Sequence, residues 1–199
     1  MLRLFSCFVS VFWIATGVAH GGESLPYSFY DNDGNRWRVE ADGSMGSGAA
    51  FESGLKLYVD GNSVPSVSQA HLEDDGRELQ LEPMVINDIR LTRKVYVSGS
   101  APFVRYIESF SNTSSVEVTL SAMIVTDYGF GNQMIIIDTS SGDTQFSTDD
   151  DYLISDDNNN CSRDNKCLMH LFSRADSGIE PAKVGLGMTP FTPSALYYE

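Results

Sequence analysis

The chain lacks the short motifs that mark common enzyme classes. It contains no glycine-rich phosphate loop before a helix, no GxSxG elbow, no HExxH motif and no CxxC pair. After its first twenty residues it also lacks any segment that combines sustained helical periodicity with helix caps. These absences argue against P-loop proteins, α/β-hydrolases, zincins and thioredoxin-like proteins.

Positive charge is scarce as well. The chain has 13 Lys and Arg residues against 27 Asp and Glu residues, which gives a formal net charge of −14. Such a surface repels the phosphates of nucleic acids and anionic lipids, so we expect no nucleic-acid partner. Hydrophobic residues still make up 42% of the chain and are spread along it, which argues against disorder.

The N-terminal residues have the three parts of a secretory signal peptide. Arg3 lies in a short positive region, Leu4–Ala15 is apolar and uncharged, and Gly17-Val18-Ala19 fits a small-x-small cleavage site. The apolar run is too short for a membrane span. We therefore predict a signal peptide over residues 1–19 and a secreted protein of the extracellular space, cell surface or periplasm. No membrane span is expected once the signal peptide has been removed.

Cysteine is rare, and export would reduce it further. Removal of residues 1–19 takes Cys7 away and leaves Cys161 and Cys167, which lie in a polar segment. In an oxidising compartment, two cysteines this close are expected to form a disulfide that closes a small ring. A zinc site would need further ligands, and the segment between them has no His or third Cys.

Apolar and polar residues alternate over most of the chain. Side chains on a strand point alternately to the two faces of a sheet, so this period of two predicts strands with one buried face. The predicted strands are Tyr27–Asp31, Arg36–Ala41, Leu55–Asp60, Val67–Leu72, Glu78–Glu82, Ile89–Ser98, Phe103–Ser111, Val116–Asp127, Gln133–Thr139, Asp143–Ser147, Tyr152–Ile154 and Leu168–Phe172.

Turn signals separate these strands. Asp-Gly and Gly-Asp pairs tolerate the positive φ angles of tight turns, and they occur at residues 33–34, 42–43, 60–61, 75–76 and 142–143. Short strands with regular turns are typical of an antiparallel two-sheet β-sandwich, so we predict an all-β fold with its domain over residues 20–187. Residues 188–199 are predicted to be a linker or the start of a further strand. That strand either completes a sheet or belongs to a longer protein of which the chain is a fragment.

Four segments resemble β-sandwich modules of large secreted bacterial proteins and, distantly, the galactose-mutarotase-like supersandwich. They are Gly54–Gly61, Leu91–Val97, Phe103–Asn112 and Thr139–Asp143. The resemblance spans about residues 35–175 and implies an extracellular β-module. No motif around His71 or His170 matches the catalytic residues of the mutarotase type, so it implies no catalytic residues here.

Acidic clusters make calcium a candidate ion. Calcium takes six to eight oxygen ligands, and the acidic segment 149–165 is rich in carboxylate and amide oxygens. An earlier cluster, residues 31–35 (DNDGN), has the opening spacing of a calcium loop but no later bidentate Glu. The alternative is that these are turn residues on a solvated surface. The predicted calcium ligands are Asp149, Asp151, Asp156, Asp157 and Asp164.

Two further features suggest binding or chemistry. Tyr128, Phe130 and Asn132 lie in a glycine-flanked loop, where exposed aromatic rings stack on sugars; alternatively, the rings cover an end of the sandwich core. Glu108 falls on the same strand face as the apolar residues around it, so its carboxylate is expected to be partly buried. It then either pairs with Arg93 or Arg105, or acts as a catalytic acid with a raised pKa.

Cleavage after Ala19 would make His20 the N-terminal residue. An N-terminal His chelates copper through its amine and one ring nitrogen, and a second His, here His71 or His170, would complete a histidine brace. Lytic polysaccharide monooxygenases use this arrangement on a β-sandwich core, although nothing else in the chain resembles them.

We therefore predict a secreted, non-enzymatic β-sandwich module for adhesion, structural spacing or carbohydrate contact, with calcium as a candidate stabilising ion. Its expected partner is an extracellular glycan or protein. The alternative is a carbohydrate-active enzyme or an enzyme-associated domain, and the least favoured is a copper oxidase that uses His20.

Overall fold

A computed structural model of the chain describes residues 22–46, 53–127, 135–156, 167–171, 184–186 and 195–198. Over these ranges every strand pair is antiparallel, and the one helical element is a 3-10 turn at Asp74–Gly76. The strands are β1 (Glu23–Ser24), β2 (Tyr27–Tyr30), β3 (Arg36–Val39), β4 (Ser53–Val59), β5 (Asn62–Ser63), β6 (Gln69–Glu73), β7 (Glu78–Leu81), β8 (Met84–Ile86), β9 (Ile89–Val97), β10 (Val104–Asn112), β11 (Ala122–Asp127), β12 (Ile135–Thr139), β13 (Tyr152–Asp156), β14 (Leu168–Leu171), β15 (Val184–Leu186) and β16 (Ala195–Tyr198). The predicted all-β antiparallel fold is confirmed.

The strands form three sheets and a hairpin. Sheet A has the order β1-β6-β7-β9-β10, with β8 also paired to β9. Sheet B has the order β15-β16-β11-β4-β5, sheet C has the order β12-β13-β14, and β2 pairs with β3. Among the described residues, β10 and β14 are therefore the end strands of their sheets.

One face of sheet A supplies the centre of the core. Its buried residues from β6, β7 and β9 pack with Phe29 and Val39 of the hairpin and with Leu153 of sheet C. A second cluster joins Leu91 of β9 to Leu57 and Val59 of sheet B. Sheet A thus forms one layer of the sandwich, and the hairpin and the two smaller sheets together form the layer opposite.

The predicted turns form where glycine occurs. Gly34, Gly43, Gly61, Gly76 and Gly142 all have positive φ angles, between 76° and 80°. An L-residue with a Cβ adopts this left-handed backbone rarely, so glycine is the natural residue at each reversal.

Two predicted strands are wrong in whole or in part. Residues 116–121 lie outside β11, because the partner strand β4 ends at Val59, opposite Ala122, and then turns at Asp60. Asp143–Ser147 is a loop, since the Asp143 carboxylate accepts hydrogen bonds from Thr139 Oγ1 and the Gln145 backbone amide, as in a turn.

Predictions were also made for the two ends of the chain. The strand-like run at the end of the chain forms β16, which pairs with β11 and β15 and so belongs to sheet B. The predicted signal peptide, residues 1–19, lies outside the described residues. No helix in the described part of the chain has the length and hydropathy that a membrane crossing requires.

Candidate functional site

A cleft of about 740 Å³ lies between the end strand of sheet A and the end strand of sheet C. Its walls come from β10 and its preceding loop, from β14, and from single residues of β3, β4 and β11. These elements are far apart in the sequence, and the packing of sheets A, B and C brings them together.

Apolar side chains dominate the walls. Phe103, Met169 and Leu171 line the cleft and remain well exposed, with 47% of Phe103 accessible to solvent. Trp37 also lines the cleft, and its indole Nε1 donates a hydrogen bond of 3.0 Å to Asp31. The Phe103 ring lies against Tyr96, with 5.8 Å between the ring centroids. The Trp37 ring is therefore held by its hydrogen bond to Asp31, and the Phe103 ring by its contact with Tyr96.

A buried ion pair lies at the inner side of the cleft. Arg93 is fully buried, and its Nε is 3.0 Å from Oε1 of Glu108, a residue of the cleft wall. Arg93 Nη1 donates a hydrogen bond of 3.0 Å to the carbonyl of Asp42, and Nη2 donates to the carbonyl of Leu55. The guanidinium also lies over the Tyr106 ring, 4.7 Å from its centroid.

The register between β9 and β10 explains why Arg93 and Glu108 form an ion pair. Arg93 and Glu108 lie directly opposite each other in β9 and β10, so both side chains are on the inner face of sheet A. Gly43 makes room for the arginine, because a Cβ there would lie 2.6 Å from Arg93 Cδ. The prediction that the Glu108 carboxylate is partly buried is confirmed, and Arg93 is the partner among the two that the sequence left open. Arg105 is not its partner, since it lies on the outer face and pairs with Glu78.

The Glu108 carboxylate is buried beneath the wall of the cleft. Burial raises the pKa of Glu108, and the adjacent Arg93 only partly offsets this effect. Both carboxylate oxygens are shielded from solvent, and Arg93 is the charged partner of the carboxylate among the described residues. A shielded carboxylate does not reach a molecule in the cleft, and this placement favours a structural role for Glu108.

The two described histidines lie apart. His170, on β14, is buried in the wall of the cleft, and burial lowers its pKa to about 4. It is therefore neutral at neutral pH. His71 is exposed on β6 of sheet A, opposite Gln80. His20 lies outside the described residues, so the copper hypothesis is not tested.

A charged network lies on the outer face of sheet A and includes one residue of the cleft lining, Arg105. Arg105 Nη2 is 3.1 Å from Oε2 of Glu78, and the Arg105 guanidinium lies 4.8 Å from the centroid of the Tyr96 ring. Lys94 Nζ is 2.5 Å from Oε2 of Glu73 and 3.5 Å from the second oxygen of Glu78. The hydrogen bond to Glu73 is the main cause of the raised pKa of Lys94.

In the predicted calcium segment, the residue that organises the structure is Asp150. Its carboxylate accepts hydrogen bonds from the backbone amides of Ser141 and Ser147 and from the hydroxyls of Ser140 and Ser147. Burial alone would raise the pKa of Asp150, but these bonds outweigh it and lower the pKa to about 2. Sequence reasoning missed this role, although the serines on both sides of Asp150 were a usable signal.

The predicted calcium ligands are only partly described. Asp149 is exposed, Asp151 is half-buried, and Asp156 is buried on β13. Asp157 and Asp164 lie outside the described residues. The described part of the chain contains no group of three or more Asp, Glu, His or Cys residues placed to hold a metal ion. Calcium binding here remains a prediction.

The DNDGN segment is a turn between β2 and β3. The Asp31 carboxylate accepts hydrogen bonds from the amides of Asp33 and Asn35 and from the side chains of Asn35 and Trp37. Burial tends to raise the pKa of Asp31, but these bonds together lower it. The carboxylate therefore stabilises the turn and holds Trp37 against the cleft.

The remaining predicted residues lie mostly beyond the described ranges. Tyr128, Phe130 and Asn132 of the aromatic loop are outside them, and so is Cys161. Cys167 is described and lines the cleft just before β14. The Cys161–Cys167 disulfide and the sugar-stacking role of the loop remain predictions.

Comparison of the chain with known proteins gives no match. No protein-family model matches it, and no curated protein or solved structure is significantly similar to it. The resemblance to secreted bacterial β-sandwich modules therefore stays an expectation from the sequence.

Proposed function

We propose that the protein is a secreted, non-enzymatic β-sandwich module that binds a small, largely apolar ligand in the cleft between β10 and β14. The observation that carries this proposal is the cleft itself, at about 740 Å³ with mostly apolar walls. Ligand sites of proteins are typically concave, of roughly 300–1,000 Å³, and apolar with a few polar groups. Secretion is proposed from residues 1–19, and calcium stabilisation from the acidic segment 149–165.

Binding fits the cleft better than catalysis does. A general acid or base must come within hydrogen-bond reach of its substrate. The carboxylate oxygens of Glu108 are shielded from solvent and face Arg93. His170 is buried, and its lowered pKa of about 4 makes it a poor proton carrier at neutral pH.

Carbohydrate contact is the second candidate. The feature that favours it is the exposed Phe103 ring at the cleft, with Trp37 in the same wall, because aromatic rings also pack against sugars. A sugar, however, carries many hydroxyl groups that need hydrogen-bond partners. The mostly apolar lining of the cleft offers few of these.

Trp37 provides a direct test of both candidates. The chain has two tryptophans, Trp13 and Trp37, so a chain without its predicted signal peptide retains Trp37 alone. Trp37 lines the cleft, and its emission should change when a ligand enters. We would titrate the secreted form with a panel of amphiphiles and soluble glycans and follow fluorescence and binding heat.

Phe103→Ala should weaken binding about tenfold, because one aromatic contact is lost. The matched control is Tyr30→Ala, since Tyr30 is 59% exposed and does not line the cleft. Response to amphiphiles supports the apolar-ligand proposal, and response to glycans alone replaces it with carbohydrate contact. If no compound changes Trp37 emission or releases heat, or if Phe103→Ala behaves like Tyr30→Ala, the cleft is not the binding site.

A further inference from the structure

We infer that the outer face of sheet C is a docking surface for a cationic amphipathic helix of a partner protein. The apolar centre of this face consists of Tyr152 and Ile154 on β13 and of Met169 and Leu171 on β14. Strand β14 also forms a wall of the cleft, but docking on its outer face requires no ligand there.

The register of β13 and β14 places the four apolar side chains side by side. Met169 is directly opposite Ile154, and Leu171 is directly opposite Tyr152. Leu153, between the two β13 residues, packs in the core on the inner face of the sheet. Because successive side chains of a strand point to opposite faces, Tyr152, Ile154 and their partners point outward.

These side chains form an exposed patch. Met169 is 57% exposed and Leu171 is 63% exposed, and Tyr152 and Ile154 are half-buried beside them. A single exposed hydrophobic residue is ordinary on a protein surface, whereas contiguous apolar side chains mark a site of interaction. The outer face of sheet C has this second character.

The dimensions of the patch match one side of a helix. Alternate residues of a strand lie about 7 Å apart, and neighbouring strands about 5 Å apart. Residues i and i+4 of a helix are about 6 Å apart along its axis and lie on the same side. The face of a sheet offers side chains rather than free backbone groups, so the apolar stripe of an amphipathic helix is a suitable occupant.

The charge around the patch has a single sign. Residues 135–156 and 167–171, the described part of sheet C and its loop, contain six Asp and no Lys or Arg. Over residues 106–162 the sequence has ten Asp and Glu residues and no Lys or Arg. Asp138 lies directly opposite Ile154 and therefore on the same outer face. His170 adds no positive charge, because its pKa of about 4 leaves it neutral at neutral pH.

Sheet A differs in this respect. Its acids Glu73 and Glu78 are paired with Lys94 and Arg105 of the same sheet. The described residues of sheet C include no such cation, so a partner with positive charge would supply it.

The same charge argues against other occupants of the patch. A second copy of the chain would bring an equally acidic face, and nucleic acids or anionic membranes would also be repelled. A neutral apolar partner would cover the patch but leave the negative potential around it unmatched. A cationic amphipathic helix satisfies both features.

The test uses three labelled peptides of about four helical turns. The first combines Lys with Leu at helical spacing, the second replaces Lys by Glu, and the third replaces Leu by Ser. Fluorescence anisotropy with the secreted form, at physiological salt and with EDTA, gives the dissociation constants. The Lys–Leu peptide should bind at least about tenfold more tightly than either of the others, because only it matches both the charge and the apolar patch.

The double variant Met169→Ser with Leu171→Ser should weaken binding of the Lys–Leu peptide about tenfold, because the most exposed part of the patch is lost. The matched control is Val85→Ser with Val116→Ser, since both valines are exposed and lie outside sheet C. Thermal unfolding followed by circular dichroism checks that all variants are folded.

The contribution of charge has its own variant. Asp138→Asn with Asp151→Asn should weaken the Lys–Leu peptide about threefold, and the difference from wild type should shrink at high salt. Asp74→Asn with Asp75→Asn is the control, because it removes the same charge from the 3-10 turn beside sheet A.

The inference is overturned if the Glu–Leu or the Lys–Ser peptide binds as tightly as the Lys–Leu peptide, or if either double variant behaves like its control. It is also overturned if sedimentation shows that the wild type self-associates and that Met169→Ser with Leu171→Ser abolishes this, since a second copy then occupies the patch. Ligand binding in the cleft is tested separately by Phe103→Ala.

Discussion

The loop between β12 and β13 and the inner side of the cleft each bury one carboxylate, and the pKa values of the two move in opposite directions. Asp150, in the loop, accepts four hydrogen bonds from Ser140, Ser141 and Ser147, and its pKa falls to about 2. Glu108, beside the cleft, has a full positive charge 3.0 Å away, and its pKa rises.

Two differences account for this: the Glu108 carboxyl lies deeper in the protein than that of Asp150, and Asp150 accepts more hydrogen bonds. Each oxygen of Asp150 meets two donors, which replace the water lost on burial. Among the described residues Glu108 has a single charged partner, Arg93, whose other two nitrogens donate to the carbonyls of Asp42 and Leu55. Burial disfavours the ionised form in both places, and only the donors around Asp150 overcome it. Deep burial beside a single cation thus raises a carboxyl pKa, whereas a full set of donors around a shallower carboxylate lowers it.

The largest effect on stability should follow removal of Arg93, the buried cation that pairs with Glu108. Arg93→Met leaves Glu108 buried without its partner, and we expect a loss of about 3–5 kcal/mol in the free energy of unfolding at pH 7. The double variant Arg93→Met with Glu108→Leu should recover most of that loss. Urea denaturation of the wild type, the single variants and the double variant gives the coupling energy.

Arg105→Met is the matched control, because it removes an exposed arginine of the same strand pair and should cost less than about 1 kcal/mol. A double variant as unstable as Arg93→Met would show that the unpaired carboxylate is not the source of the loss.

The second prediction is a loss of stability as the pH falls, caused by protonation of His170. Its pKa in the folded protein is about 4 against an ordinary 6.5, so the unfolded chain takes up this proton first. Stability from this group is therefore complete above pH 6.5 and is lost towards pH 4, by about 3 kcal/mol. Glu108 acts in the opposite sense, because its raised pKa favours the folded state as the pH falls.

His170→Gln isolates the histidine contribution in denaturation curves measured from pH 7 to pH 4. The variant should lose less stability than the wild type over this range, while the exposed His71→Gln should follow the wild type. Parallel curves for wild type and His170→Gln would contradict the assignment.

The smallest of the three effects concerns the loop. Asp150→Asn removes the charge that four donors stabilise, and we expect it to cost about 2 kcal/mol at pH 7. Because the pKa is lowered from 3.8 to about 2, the wild-type advantage should be present above pH 3.8 and vanish as the pH falls towards 2. Asp149→Asn, at the exposed neighbouring position, should change stability by less than about 0.5 kcal/mol. An equal effect of both substitutions would refute the special role of the donors.

Local pattern was sufficient to predict part of this structure. Alternation within β10 placed Glu108 on the inner face, and glycine after aspartate located the turns. Whether Glu108 pairs with Arg93 or with Arg105 depends on the register between β9 and β10 and on the face that each arginine occupies. The sequence of a single strand does not give this register. Residues 116–121 form no strand because their pairing depends on where β4 turns, and β4 is distant in the sequence.

The site was harder to predict than the fold. Its cleft joins Trp37, Phe103 and His170 through the packing of separate sheets, and no local pattern encodes that juxtaposition. The acidic run suggested calcium, which stays a prediction, whereas the hydrogen bonds to Asp150 come from serines that the composition of the run does not single out.

The position of Glu108 has a consequence for how molecules of this protein meet one another. Within the described residues, β10 is the last strand of sheet A, and the backbone edge of such a strand is a template for another extended chain. A charge that points inward from an edge strand hinders this addition, since the growing sheet would have to enclose it. Replacing the Arg93–Glu108 pair by apolar residues would therefore remove a barrier to intermolecular aggregation.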